Sequence, residues 1–364
     1  MEDGIDLDLN TTSIRIASVP TVKKVWPVRV ISLPNDEVSS IAAGNGSSQS
    51  WTNQRRAEPG ADDFSPHVMT QVDKLRADGI TGSGIRIGII DTGVDYNHPA
   101  LGGCFGEGCL ISFGTDLVGD AYNGYNTPVP DSDPYDNCLG HGTHVAGIIG
   151  ARDNPLGFTG AAPGVDLGMY RVFGCYDNTA TDVLIAAFNQ AYEDGCDIIT
   201  ASIGGASGWT EDPWSVAVSR IVDAGVPCTV AAGNSGSAGL LYSSAAADGK
   251  GVTSVASVEN TETPLVLLEG RTMVDHFCSS KASFGWTTGT PAFPNVTLPL
   301  WVVTPNVTSD GTWSACSPLT DDSPDLSGKI ILVEYAICGA WVITNNLVSR
   351  GAEYLMFYYY TPSL

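Results

Sequence analysis

Between residues 84 and 232 the sequence repeats one kind of segment, a short and uninterrupted apolar run. The four runs are IRIGII (85–90), LGMYRVF (167–173), CDIITAS (196–202) and VPCTVAA (226–232). Such runs are typical of strands that are buried on both faces, because a strand with one solvated face alternates apolar and polar residues. Helical patterns over residues 181–195 and 212–225 lie between the later runs. Strands that alternate with helices predict an α/β fold with a parallel sheet.

The helical pattern over residues 181–195 has its own start and stop signals. Its apolar residues recur at helical spacing, Thr181 is expected to cap its N-terminus, and Gly195 is expected to end it. In open parallel sheets, ligands bind beyond the carboxyl ends of the strands. Candidate functional residues are therefore expected directly after the apolar runs.

Two chemically distinctive residues occupy such positions. Asp91 follows the first run in IGIIDTGVDYNHP, and a desolvated carboxylate there needs a partner. The D-T-G triplet alone is also found in aspartic proteases and in ordinary turns. His141 stands in CLGHGTHVAGIIGA, at the predicted start of a helix of small residues, between glycines that leave room for a substrate backbone. A single histidine is more often structural, and His144 is interpreted so.

The ends of the two later runs are rich in glycine. In TASIGGASG, residues Ser202, Gly204 and Gly205 offer an edge to which an extended peptide can pair, or else a loose glycine turn. In AAGNSG, the Asn234 amide can donate a hydrogen bond to a developing oxyanion, or can belong to a simple turn. Each segment alone leaves both interpretations open.

Taken together and in this order, IIDTGVD, GHGTHVAG, SIGG and AAGN resemble the subtilisin-like serine proteases, the subtilase family. The resemblance covers about residues 60–258. It implies a parallel sheet sandwiched between helices. It also implies a secreted serine endopeptidase that hydrolyses proteins or peptides with an Asp/His/Ser triad.

The resemblance also implies a role for individual residues. Asp91 would orient His141, His141 would take the proton of the serine, and Asn234 would supply the side-chain donor of the oxyanion hole. The implied substrate-binding residues are Ser202, Gly204, Gly205, Ala231, Ala232 and Gly233.

Two departures from the family pattern affect these expectations. The sequence contains no G-T-S, whereas the family carries its serine in G-T-S-x-A, so the nucleophile is expected beyond the end of this sequence and the chain as written is expected to be inactive. The alternative is a non-catalytic secreted protein of subtilase ancestry that binds peptides. Ala100 stands where many members have a calcium-binding Asp, so this calcium site is not expected; no cofactor is predicted, and a structural calcium ion is left open without support from the sequence.

The flanking segments suggest a division into four parts. Residues 1–40 resemble the remnant of an inhibitory propeptide, which would act as the enzyme's own inhibitor, and residues 41–66 form a linker rich in Gly, Ser, Asn and Pro. Residues 67–264 form the catalytic domain, and residues 265–364 resemble part of a β-rich protease-associated domain inserted before the serine.

Composition narrows the partners and the compartment. A net charge of −23 disfavours nucleic acids, and no apolar run reaches the roughly 18 residues of a membrane-spanning helix. The nine cysteines and the sequons at Asn10, Asn45, Asn295 and Asn306 favour secretion, although the acidic start MEDGIDLDLN is not a signal peptide. A disulfide is predicted between Cys104 and Cys109, which bracket a glycine-rich loop.

Overall fold

The computed structural model describes the chain in segments that fall into two compact units. The described residues are 22, 24–33, 64–154, 158–258, 266–274, 278–286, 296–303, 315–319, 323–335 and 338–358. The first unit includes those up to residue 258, and the second includes those from residue 266. The four sequon asparagines and the predicted linker up to residue 63 lie outside the described residues.

The first unit contains eight strands and five α-helices among its described residues. The strands are β1 (Val30–Ser32), β2 (Arg86–Asp91), β3 (Ile111–Asp116), β4 (Asp166–Arg171), β5 (Asn178–Ala180), β6 (Ile198–Ala201), β7 (Cys228–Ala231) and β8 (Thr253–Val255). The helices are α1 (Ser65–Thr70), α2 (Val72–Ala77), α3 (His141–Gly150), α4 (Thr181–Glu193) and α5 (Pro213–Asp223).

Six of these strands form one sheet in the order β3-β4-β2-β6-β7-β8, and every pairing in it is parallel. The four apolar runs of the sequence correspond, in chain order, to β2, β4, β6 and β7, and these are the interior strands of the sheet. This confirms the predicted parallel α/β fold. The edge strands β3 and β8 were not predicted.

Helices cover the sheet on both faces. Neighbouring residues of a strand point to opposite faces, and here Ile90 packs in one apolar cluster while Ile89 packs in another. The first cluster includes Phe188 of α4 and Trp214 of α5, whose ring centroids are 6.1 Å apart. The second includes Val145 of α3. The sheet is therefore packed between α3 and the α4–α5 pair.

The predicted cap of α4 is wrong. The helix begins at Thr181 itself, and the preceding residue, Ala180, makes no side-chain cap bond. The Thr181 hydroxyl is engaged elsewhere, because it accepts a hydrogen bond from the backbone N–H of Arg29 at 3.1 Å. The C-terminal prediction is confirmed, since Gly195 adopts a positive φ of 75° just after the helix.

Of the cysteines whose side chains the structure describes, six form three disulfides and two are buried thiols. The Cys104–Cys109 bridge is confirmed, and Cys138–Cys175 and Cys316–Cys338 are the others. Burial raises the pKa of the Cys196 thiol to about 11 and that of Cys228 to about 12. Both thiols therefore stay protonated at neutral pH and act as apolar core groups.

The second unit has a different architecture. It contains β9 (Val266–Val274), β10 (Cys278–Trp286), β11 (Leu300–Val302), β12 (Ile330–Glu334), α6 (Gly339–Val348) and β13 (Tyr354–Tyr358). The first two form an antiparallel hairpin, and the last three strands form a parallel sheet. After residue 328 the described elements follow in the order strand, helix, strand. No helix of the described residues is long and apolar enough to span a bilayer.

Candidate active site

Asp91 and His141 meet at the carboxyl edge of the sheet. Asp91 is the last residue of β2 and is fully buried, and His141 is the first residue of α3. Asp91 Oδ1 lies 2.6 Å from His141 Nδ1, which confirms the predicted contact. A carboxylate only accepts hydrogen bonds, so Nδ1 carries the hydrogen and the basic lone pair of the imidazole is on Nε2. A histidine held in this way can serve as a general base.

A second buried carboxylate holds the loop that leads to His141. Asp136 accepts backbone N–H hydrogen bonds at 2.8 to 3.0 Å from three loop residues, Cys138, Leu139 and Gly140. It also accepts the Thr92 hydroxyl at 2.9 Å, and that same hydroxyl accepts the N–H of Gly142 at 3.0 Å. The residue after Asp91 and the residue after His141 are thereby joined. Sequence reasoning missed this network, whose only signal is an acidic residue five positions before the histidine.

Gly142 is a position where the site tolerates no side chain. A Cβ there would overlap the Gly93 carbonyl oxygen and would lie 3.1 Å from Asp91 Oδ1. We expect Gly142→Ala to lower the free energy of unfolding by about 1–3 kcal/mol, because the packed backbone has to move. Urea denaturation checks this.

The matched control is Gly147→Ala on the same helix, where an added Cβ meets nothing within 4 Å. That change is expected to stabilise the protein by about 0.5–1 kcal/mol, since alanine favours the helix over glycine. Equal effects of the two substitutions would contradict the tight contact between α3 and the Asp91 turn.

A disulfide and a buried arginine join the His141 loop to the segment before β5. Cys138 is bonded to Cys175, with their Cα atoms 5.4 Å apart. Arg171, at the end of β4, donates to the Tyr135 and Phe173 carbonyls, both at 3.0 Å, and pairs with Asp116 at 3.0 Å. Burial raises the pKa of the Asp116 carboxyl, although its partner Arg171 acts against that rise. These links fix the spacing between the histidine and β5.

The structure gathers the predicted substrate residues at the same edge. The register pairs Ile90 with Ala201, and Ala201 with Val230. The next residues along these strands, Asp91, Ser202 and Ala231, therefore form one row across the sheet. The other predicted residues, Gly204, Gly205, Ala232, Gly233 and Asn234, follow directly.

Position 204 requires glycine for a reason that the sequence pattern did not predict. A Cβ at Gly204 would overlap the Ser244 hydroxyl, and the N–H of Ser244 donates to the Ala232 carbonyl at 2.9 Å. Ser244 therefore packs between the two segments and holds them together. Asn234 is exposed just beyond β7, so its side chain can reach a group at the sheet edge.

The N-terminal strand β1 lies alongside these residues. It pairs antiparallel with β5, placing Ile31 opposite Thr179. On its other side the buried Ile31 side chain lies 3.3 Å from the point that a Cβ on Gly205 would occupy. A segment of the chain thus occupies the space between β5 and the segment after β6, in the extended form that a peptide would take.

Position 100 does not fit a calcium ion. Ala100 is buried and has no side-chain oxygen, and its carbonyl accepts the Arg152 N–H at 3.0 Å. Within the described residues one group of possible metal ligands occurs, Asp120 with Cys138 and Cys175, but its two sulfurs are bonded to each other. The absence of a metal cofactor remains a prediction.

Known proteins share this chain's sequence pattern. The model of the Subtilase family matches residues 82–329. The minor extracellular protease Vpr of Bacillus subtilis (strain 168) is 30% identical over 263 residues, which are 72% of this chain and 30% of that protein. Subtilisin DY of Bacillus licheniformis is 33% identical over 171 residues, 47% of this chain and 55% of that protein.

A solved structure is also similar. Fervidolysin from Fervidobacterium pennivorans, described as a keratinolytic enzyme related to subtilisin, has 26% identity and a TM-score of 0.34, with 44% of this chain and 23% of that chain covered. The chain spans between about a third and just over half the length of the two curated relatives above. The family match extends over more than half of the sequence and includes both Asp91 and His141. The chain belongs to the subtilase family.

Proposed function

We propose that this protein is a secreted serine endopeptidase that hydrolyses peptide bonds of proteins, with Asp91, His141 and a serine as its triad. The observation that carries the proposal is the 2.6 Å contact between the buried Asp91 carboxylate and His141 Nδ1. This contact fixes the imidazole tautomer that proton transfer from a serine requires.

In the proposed reaction, His141 Nε2 takes the hydroxyl proton as the serine oxygen attacks the carbonyl carbon of the substrate. Asp91 stabilises the imidazolium that forms. The Asn234 amide donates a hydrogen bond to the negatively charged oxygen of the tetrahedral intermediate. The imidazolium then gives its proton to the leaving amine, and water releases the acyl group by the same steps in reverse.

The serine is proposed to come from a G-T-S-x-A segment outside residues 1–364, because this sequence contains no G-T-S. We therefore expect purified 1–364 protein to resist labelling by a fluorophosphonate and to leave casein intact. The same protein extended through such a segment should be labelled and should cleave casein. Labelling of the 1–364 protein that disappears in a His141→Ala variant would contradict the proposal.

Ser202, Gly204, Gly205, Ala231, Ala232 and Gly233 are proposed to form the walls against which a substrate peptide lies. Support comes from β1, which occupies the space beside Gly205 in extended form. The N-terminal segment is accordingly proposed to act as the protein's own inhibitor, since it fills the position of a substrate. Residues 265–364 are proposed to be part of a protease-associated domain.

Secretion is supported by the three disulfides and by the relative named as an extracellular protease. One observation favours a second function, a non-catalytic protein that binds peptides. The space between β5 and the segment after β6, called the cleft from here on, contains β1. Main-chain hydrogen bonds that need no nucleophile hold β1 there. If the extended protein binds peptides but is not labelled by the fluorophosphonate, this second function replaces the first.

A further inference from the structure

The end of the cleft beside Arg29 carries negative charge. Asp212 Oδ2 lies 3.1 Å from an Arg29 guanidinium nitrogen, and the Asp212 side chain is only 2% exposed. Next to it, Glu211 pairs with Lys24 at 3.3 Å, and its carbonyl accepts the Trp26 indole N–H at 3.1 Å. Two cations of the N-terminal segment are thus held by two adjacent carboxylates.

The direction of β1 tells which part of a substrate this end would receive. Leu33 donates its N–H to Asp177 at 2.6 Å, whereas the Arg29 carbonyl accepts the N–H of Thr181 at 2.9 Å. The chain therefore runs from Thr181 toward Asp177, and two residues further on, Cys175 is bonded to the loop that holds His141. A peptide seated like β1 approaches the histidine with its C-terminal end. Arg29 marks a position upstream of the bond to be cut.

The two carboxylate oxygens of Asp212 have different partners, a backbone N–H of α5 and the Arg29 guanidinium. Its Oδ1 caps α5 by accepting the Trp214 N–H at 3.0 Å. Its Oδ2 meets Arg29. While a chain segment lies over it, the Asp212 carboxylate is shielded from water, so a neutral side chain in the place of Arg29 would leave a buried charge unpaired. When β1 leaves the cleft, the arrangement favours a peptide that returns a positive charge to the same place.

We propose, on the basis of the proposed function, that Asp212 forms a cation subsite of the substrate cleft, with Glu211 beside it pairing with the more distant Lys24. It selects peptides that carry Arg or Lys two residues before an aliphatic residue. The spacing follows from the strand, in which residues i and i+2 share a face: Arg29 reaches Asp212, and Ile31 packs against Gly205. The other contacts of this segment with β5 and Thr181 are main-chain bonds, a bond from the Arg29 N–H to the Thr181 hydroxyl and a Ser32–Asn178 side-chain bond at 2.6 Å, and none of them needs a cationic side chain.

The test measures peptide binding to a chain whose own strand is displaced. Ile31→Asp places a charge at a buried apolar position and releases β1 from the cleft. A fluorescent peptide with the sequence of residues 24–33 is titrated against this protein, beside versions of the peptide with Arg29→Ala and Arg29→Lys. We expect the alanine peptide to bind about tenfold more weakly, and the lysine peptide to retain most of the affinity.

A second variant assigns the preference to Asp212. Asp212→Asn retains an oxygen that can cap α5, so the helix is preserved. In this variant the affinities of the arginine and alanine peptides should differ by less than about twofold. Asp223→Asn, at the exposed far end of the same helix, is the matched control and should leave the difference unchanged. A difference that persists in Asp212→Asn would overturn the assignment.

A further measurement needs no change at Ile31. In the 1–364 protein, Arg29→Ala should accelerate hydrogen exchange at the Thr179 and Thr181 amides, which β1 covers. Equal affinities of the arginine and alanine peptides would overturn the cation subsite and leave the proposed peptidase intact. Failure of every peptide to bind, with no fluorophosphonate labelling of the extended protein, would overturn both.

Discussion

In the protein extended through the proposed G-T-S-x-A segment, an Asp91→Asn variant is expected to turn over substrate about 10⁴-fold more slowly, with KM little changed. The buried carboxylate accepts the Nδ1 proton of His141 at 2.6 Å and so selects the tautomer whose Nε2 is basic. An amide at this place can present its NH₂ group to the imidazole and favour the opposite tautomer. Steady-state kinetics on a peptide substrate measures the loss.

The same substitution can be followed in the 1–364 protein without any activity. A histidine Nδ1–H that donates to a buried carboxylate gives a proton resonance far downfield, and Asp91→Asn should abolish it. The control is Asp133→Asn, an exposed carboxylate whose loss should leave the resonance in place. Turnover within tenfold of the parent would remove Asp91 from the proposed triad.

An Asn234→Ala variant is expected to lower kcat by about 10²–10³-fold with little change in KM. The amide would bind the oxygen only when it becomes negatively charged, so its loss affects the transition state more than the bound substrate. Because Asn234 is exposed, the free energy of unfolding of the variant should lie within about 0.5 kcal/mol of that of the parent. Comparing kcat, KM and urea denaturation for this variant separates a catalytic effect from a structural one.

Ser235→Ala, at the adjacent exposed residue, is the control for that measurement and should leave kcat unchanged. A fall in kcat of the same size in both variants would show that the loop, and not the Asn234 amide, is required.

The interior of the sheet could be predicted because it has a local sequence signal, whereas the Asp91–His141 contact was implied by the resemblance of the two motifs to the subtilase family. A strand buried on both faces is apolar throughout, so β2, β4, β6 and β7 are visible as runs. Parallel strands bring their carboxyl ends to one edge, so Asp91 and the segments after β6 and β7 had to be neighbours. Neither inference requires knowledge of a distant partner.

The parts that escaped prediction depend on partners far along the chain. Thr181 is of a residue type that often caps helices, but its hydroxyl accepts a hydrogen bond from the N–H of Arg29, 152 positions away. Asp136 gives no periodic signal, because its role is set by a loop and by Thr92. Strand β5 has no apolar pattern of its own and becomes a strand only through β1. Gly204 resembles a substrate-binding glycine, although Ser244 is what excludes a side chain there.

The pairing of β1 with β5 also fixes the order in which the cleft is built. Residues 30–32 are synthesised well before their partners at 178–180, and a ribosome adding about 5–20 residues per second leaves a delay of many seconds between them. The strand that fills the cleft is already present when the cleft forms, and it is joined to it covalently. Such tethering gives an effective concentration in the millimolar range. If the N-terminal segment acts as the proposed inhibitor, a free peptide at micromolar concentration is expected to compete poorly with β1 while the chain between β1 and α1 is intact.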